Sequence, residues 1–167
     1  MAMTKYITDE LAAKELALIE RVVPLWGMIA EKNPELHKID FSLAIEKDDS
    51  IMGFVEAKCR NCNHDKYRTF FISLAKYIHA CELTKFTGIP TFILVEWMDQ
   101  TKYVKVPCMT ADIRMGGRID RGNPDDHEPM IHIPITEFRP VEEVPDLFPC
   151  VRNDLDSLSD VDWDDSF

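Results

Sequence analysis

The sequence predicts an α/β domain of three layers, and three observations carry that expectation. The elements read helix, strand, strand, helix, strand, strand, an order that lays helices over a sheet. One of those strands, TFILVEW, is apolar almost throughout, as a strand covered on both faces must be. The length of 167 residues, with 46% hydrophobic side chains, supports one domain with a substantial core and falls short of two.

The first helix is expected from Thr8-Asp9-Glu10 onward, with Leu11, Leu16, Ile19, Val23 and Trp26 recurring at helical spacing. Pro24 kinks or shortens it, and Asn33-Pro34 ends it. From Ile39 to Glu46 the sequence IDFSLAIE alternates strictly, which predicts a strand with Phe41, Leu43 and Ile45 on one face. Asp48-Asp49-Ser50 reads as the turn, and IMGFVEAKC as the returning strand. A loop from Arg60 to Lys66 leads to a long helix from about Tyr67 to Phe86, closed by Thr87-Gly88-Ile89-Pro90. TFILVEW follows, and then TKYVKVP as a more exposed strand. Met109 to Met130 reads as loop. IHIPITEF is an edge strand, because Pro134 lacks the amide a central position needs.

Charge is unevenly spread. The net value is −11, which taken whole argues against a nucleic-acid binder. Residues 1–57 carry a net −5, but residues 58–121 hold 11 basic and 6 acidic groups, and acid returns over 122–150 (net −6) and 151–167 (net −5). That distribution allows a phosphate-binding face on an acidic protein. Five cysteines form an odd set, so a reducing compartment is expected, a cytoplasm or that of a host. No apolar run approaches the roughly 18 residues that span a bilayer, so no membrane partner is expected.

The chemistry is concentrated in the hairpin. With a three-residue loop, Asp40 falls opposite Lys58 and Ser42 opposite Glu56, so Asp40, Glu56 and Lys58 share one face while Phe41, Leu43, Val55 and Ala57 pack on the other. A loop of two or four residues puts Asp40 on the wrong face. Two carboxylates at that separation can share a hard divalent cation such as Mg²⁺, which activates water and neutralises a scissile phosphate. Lys58 can orient or deprotonate that water, or stabilise the developing phosphorane. A cross-strand salt bridge on a solvated face explains the same three residues.

Asp40, a short hairpin and Glu56-x-Lys58 in the context IDFSLAIEKDDSIMGFVEAKCRN resemble the PD-(D/E)XK nuclease superfamily, and are most similar to archaeal-type Holliday junction resolvases and their phage relatives. The resemblance spans residues 8 to 107 and departs in having Ile39 where the motif name has Pro. It implies a restriction-endonuclease-like three-layer core with a mixed central sheet flanked by helices. It implies a metal-dependent DNA endonuclease, with Mg²⁺ (Mn²⁺ as substitute) held by Asp40, Glu56 and the Ala57 carbonyl, and Lys58 as catalytic lysine. It implies a carboxylate from the first helix, for which Glu20 is the choice and Glu15 the reserve. A polar residue from the helix after the motif is expected too, from Ser73, Lys76 or Tyr77, with Lys76 preferred. Resolving a junction takes two active sites and hence a homodimer. The alternative is a catalytically silent nuclease-fold protein that binds nucleic acid or a replication partner.

Arg60, Lys66, Arg68, Lys76, Arg114, Arg118 and Arg121 are the candidate DNA contacts, the last three in a stretch whose Arg–Asp alternation also suits local salt bridges. Cys59-x-x-Cys62-x-His64 resembles half of a zinc site, with no second CxxC to complete it. Trp26 and Trp97 are expected in the core. The chain is expected to divide into a nuclease-like domain over 1–150 and an acidic tail over 151–167, with six Asp and one Arg, whose composition predicts disorder. That tail, ending in Phe167, resembles the C-terminus of bacterial and phage single-stranded-DNA-binding proteins. The likeness implies docking on the protein's own basic face or on a replication or single-strand-binding partner.

Overall fold

Leu18, Ile19 and Val22, one helical turn of spacing apart, are buried together and seat helix α1 (Ala2–Val22) against one face of the sheet. The computed structural model describes residues 2–117 and 127–146. Pro24 cannot continue the α-helical ladder, so the chain tightens into a 3-10 turn, Val23–Trp26. Gly27 then takes a left-handed conformation (φ 70) that favours glycine and reverses the chain. The helix therefore stops well before Asn33. The residues in between form strand β1 (Ile29–Lys32), which pairs antiparallel with β2 (Phe41–Ile45).

Strand β3 (Asp48–Cys59) is the axis of the sheet. The strands β5 (Thr91–Glu96), β6 (Thr101–Val106) and β9 (Arg139–Pro140) complete six in the order β1-β2-β3-β5-β6-β9. The β3–β5 pair is parallel and its neighbours antiparallel, so the sheet is mixed. Phe92, Ile93, Leu94 and Val95 of β5 are fully buried; alternate residues point into two separate cores, and each such side chain contributes about 1.5–3 kcal/mol by leaving water. One core lies under α1 and holds Phe92 and Leu94. The other holds Ile93 and Val95 and is closed by helix α2 (Leu74–Thr87) together with a small second sheet. Trp26 and Trp97 are both buried.

The second sheet corrects three expectations: that Thr69–Ser73 is helix, that Met109 to Met130 is loop, and that IHIPITEF lies at a sheet edge. Thr69–Ser73 forms strand β4 rather than the first turns of the helix, because TFFIS alternates buried and exposed and pairs with β8 (His127–Pro134). The stretch after Met109 is not all loop: Asp112–Gly117 is strand β7, paired to the other side of β8. The strand order is β4-β8-β7, so β8 is central in its sheet. Pro134 is tolerated there because it is the last residue of the strand.

The turn between β2 and β3 is Glu46-Lys47, not Asp48-Asp49-Ser50. A two-residue turn alone would turn Asp40 to the wrong face. Two irregularities reverse that: Ile45 pairs with Asp48, but Ala44 with Ile51 and Leu43 with Gly53, slips of two residues and then one. An odd total slip flips the face. From Phe41↔Val55, one further step sets Asp40 level with Glu56 instead of Lys58. That is a two-residue offset from the expected register, and it keeps the shared face.

Candidate active site

Glu56 sits at mid-sheet on β3 with its side chain 1% exposed, where an unpaired carboxylate would be strongly disfavoured. Two ammonium groups answer it. Lys58 Nζ lies 2.7 Å and Lys76 Nζ 2.5 Å from the same oxygen, Glu56 Oε1. Lys58 also donates to the Ala57 carbonyl at 3.0 Å and stands 3.5 Å from Glu15 Oε1 and 3.6 Å from Asp40 Oδ2. Lys76, from the first turn of α2, reaches within 3.9 Å of Asp40 Oδ1. Asp40, Glu56, Lys58, Lys76 and Glu15 thus form one cluster drawn from β2's entry, β3 and both helices.

Electrostatics follow from that crowding. Burial pulls the Lys58 pKa down, but the carboxylates of Glu56, Glu15 and Asp40 outweigh it, and the net direction is upward. Lys58 is an ammonium at neutral pH. Burial raises the Glu15 carboxyl above its ordinary value; Lys58 opposes the rise, and the Asp40 charge adds to it.

The cluster leaves two oxygens over. Asp40 Oδ2 and Glu56 Oε2 are buried and accept no hydrogen bond among the described residues. Buried acceptors of this kind ordinarily find donors. Two hard carboxylate oxygens, with the Ala57 carbonyl on the same lysine, are the donor set that suits a divalent cation of the Mg²⁺ type. The residues present fit such an ion.

Helix α1 presents Glu15 to the cluster, whereas Glu20 is exposed. At 3.6 residues per turn, five positions rotate a side chain by about 140°, so the two cannot face the same point. This reverses the preference for Glu20 over Glu15. For the nuclease activity that the motif's resemblance implies, Glu15→Gln is expected to cost about tenfold or more through loss of a charge beside Lys58, and Glu20→Gln much less; single-turnover rates for the two variants decide it. Ser73, the last residue of β4, donates to Glu128 Oε2 at 2.9 Å, and on α2 the buried Tyr77 hydroxyl accepts from the Cys108 amide at 2.8 Å; of Ser73, Lys76 and Tyr77, Lys76 meets Glu56.

Asn33, expected from the sequence only to end the first helix, supports Asp40. Its amide bonds to the Asp40 carbonyl at 2.8 Å, its side chain donates to the Ile39 carbonyl at 2.9 Å, and Ser42 Oγ donates to Asn33 Oδ1 at 2.6 Å. The backbone on both sides of Asp40 is pinned to one residue. An Asn-Pro pair seven positions before the Asp is the signal available in sequence.

Among the candidate DNA contacts, Lys66 and Arg68 are exposed on the segment after β3. The Arg60 guanidinium stacks 4.8 Å from the Phe70 ring and donates to the Phe71 carbonyl at 3.3 Å. Arg114 is paired with Asp112 at 2.9 Å. Arg118 and Arg121 lie outside the described residues, as does the tail over 151–167. The Cys59-x-x-Cys62-x-His64 grouping is not assembled. His64 Nδ1 meets Asp99 Oδ2 at 2.6 Å, and among the described residues the group whose ligating atoms lie within 4.8 Å of one another is His64, Asp65 and Asp99, at the surface. Burial, then the adjacent Glu96 carboxylate, pushes the Cys59 thiol up to about 11. The four described cysteines are free.

A mixed sheet flanked by helices, with Asp, Glu and Lys converging where β2 meets β3, defines a PD-(D/E)XK nuclease core. The family described as "Phage putative PDDEXK endonuclease" matches residues 1–141, and the chain belongs to it. No curated protein matches. Among solved structures, the chain is similar to Hjc, a Holliday junction resolvase from the archaeal hyperthermophile Archaeoglobus fulgidus, at 12% identity and a TM-score of 0.48, over 75% of this chain and 96% of that one. No helix among the described residues is long and apolar enough to cross a membrane.

Proposed function

We propose that the protein is a metal-dependent DNA endonuclease whose active site is Asp40, Glu56, Lys58, Lys76 and Glu15, with Mg²⁺ as the ion and Mn²⁺ able to replace it. The observation that carries this reading is the pair of buried carboxylate oxygens, Asp40 Oδ2 and Glu56 Oε2, that accept no hydrogen bond among the described residues although two lysines stand beside them. A protein that only bound nucleic acid would have no use for them.

Asp40, Glu56 and the Ala57 carbonyl would hold the ion, which supplies Lewis-acid charge neutralisation and an activated water when bound. The rest of the chemistry belongs to the chain. Hydrolysis adds a water oxygen to phosphorus, breaks one ester bond, and returns a proton to the departing sugar oxygen. Negative charge grows on the phosphate oxygens as this happens. Lys58, already an ammonium held by several oxygens, is positioned to donate to such an oxygen without reorganising. Lys76 adds a second positive charge on the same side. Lys66 and Arg68 extend positive charge along the segment that follows β3, where the flanking backbone can be gripped.

Incubating supercoiled plasmid with the protein in Mg²⁺ tests the assignment: nicked and linear products should appear, and a chelator should abolish them. Intact plasmid at every metal concentration would remove the enzyme reading. Action on four-way or branched junctions is a narrower proposal, and requires a homodimer with two such sites.

For residues 151–167 we propose a tail that competes with DNA for the basic face over 58–121, or docks on a replication partner in the cytoplasm of a host. Its net charge of −5 makes the first form salt-dependent. Removing these residues should tighten DNA binding most at low ionic strength. The gain should fade as the Debye length shortens to about 8 Å near physiological salt. Filter-binding titrations of full-length and truncated protein across a salt series check this, and equal affinities at low salt would exclude self-masking.

A further inference from the structure

Beside the cluster, a cavity of about 190 Å³ opens between the segment after β3 and strand β4, walled by Arg60, Asn63, Tyr67, Phe70, Phe71 and Trp97 among others. Arg60 follows Lys58 by two residues, and its amide still bonds to the Glu96 carbonyl on β5 at 2.8 Å, so the extended chain continues past Cys59. Two extended residues place Arg60 roughly 7 Å along from Lys58 and on the same face. One wall of the cavity, Arg60, therefore stands next along the same strand face from Lys58.

Its lining is unusual for a surface cleft. Phe70 and Trp97 make a buried floor, their rings edge to face at 6.0 Å. Above it Tyr67 and Phe71 leave 58% and 42% of their surface to solvent, although the Phe71 ring also packs against His132 at 5.5 Å. The Arg60 guanidinium lies 4.8 Å from the Phe70 ring and 5.9 Å from that of Phe71, and Lys66 Nζ lies 5.3 Å from Tyr67. Asn63, with an amide that both donates and accepts, stands at the rim. Exposed aromatic faces, a planar cation and an amide edge match a flat heteroaromatic ring on a phosphate chain. A base inside a stacked duplex offers neither its face nor its pairing edge to such a surface.

We propose that this cavity receives an unpaired nucleobase adjacent to the scissile phosphate, so that the preferred substrate is DNA with unpaired nucleotides at the cleavage point. This deepens the nuclease reading and rests on it. Binding is measured on the full chain carrying Lys58→Ala, so that cleavage does not intrude, with two probes: a fully paired duplex, and the same duplex with a central bubble containing 2-aminopurine. The bubble should bind about tenfold or more tightly than the duplex, the scale of one base stacked on an aromatic ring, and its 2-aminopurine emission should be quenched on binding. Tyr67→Ala should remove most of the preference and the quenching, and Tyr67→Phe should retain both. Phe86→Ala, whose exposed ring lies on α2 away from the cavity, should change neither. Equal affinity for the two probes, or a preference that survives Tyr67→Ala, would overturn the proposal. Plasmid nicking by the unsubstituted protein in Mg²⁺ reports the nuclease reading separately: cleavage without bubble preference sinks the cavity alone, and bubble preference without cleavage sinks the enzyme alone.

Discussion

Replacing Lys58 with alanine should slow DNA cleavage by on the order of 10²–10³, the usual cost of removing one preorganised donor from a developing oxyanion. DNA binding and the fold should persist. Lys58 is one of two ammonium groups on Glu56, and Lys76 remains 2.5 Å from the same oxygen, so the buried carboxylate keeps a partner in the variant. The positive charges that meet the flanking backbone lie elsewhere, on the segment holding Lys66 and Arg68. Single-turnover cleavage in Mg²⁺ and a gel-shift titration on the same DNA separate the two effects. Near-unsubstituted turnover would show that Lys58 only balances charge.

Asp40→Asn and Glu56→Gln should each weaken Mg²⁺ binding by more than the roughly 10–100-fold that loss of an outer-shell partner costs, because each removes a ligand charge from a site with few others. Activity should recover partly at high Mn²⁺. The two variants differ in a useful way. Asp40 is a quarter exposed and Glu56 is not, and neutralising Glu56 removes the nearest carboxylate of both Lys58 and Lys76, leaving them the more distant Asp40. Breaking a buried pair by removing one member costs about 3–5 kcal/mol, an upper range here since both lysines are partly exposed. Thermal unfolding should therefore show Glu56→Gln the less stable of the two, and Asp40→Asn gives the cleaner metal measurement. Calorimetry finding unchanged metal affinity in Asp40→Asn would mean that the pair is a salt-bridged face and nothing more.

Much of this arrangement is legible in the sequence because it depends on period-two alternation. The pattern IDFSLAIE against IMGFVEAKC is enough to bring Asp40, Glu56 and Lys58 to one face, and the structure does bring them together. The route differs, however. The expected three-residue loop is a two-residue turn with two slips in pairing, and a bulge leaves no mark in hydrophobic periodicity. Thr69–Ser73 read as helix because the apolar spacing runs on unbroken into LAKYIHA. What makes it a strand is β8, some sixty positions away, and local pattern carries no information about such a partner. The helix carboxylate was ambiguous for a related reason. The sequence favours Glu20 and holds Glu15 in reserve, whereas the roll of α1 on the sheet, fixed by Leu18, Ile19 and Val22 in the core, turns Glu15 toward Lys58.

The central claim is that Asp40 and Glu56 are a metal pair and not only a salt-bridge face. A crystal of the protein soaked in Mn²⁺, with data collected for anomalous scattering, tests it most directly. A peak is expected beside Asp40 and Glu56, whose Oδ2 and Oε2 accept no hydrogen bond among the described residues. No density there while Lys58 and Lys76 keep both carboxylates, or a peak confined to His64, Asp65 and Asp99, would contradict it.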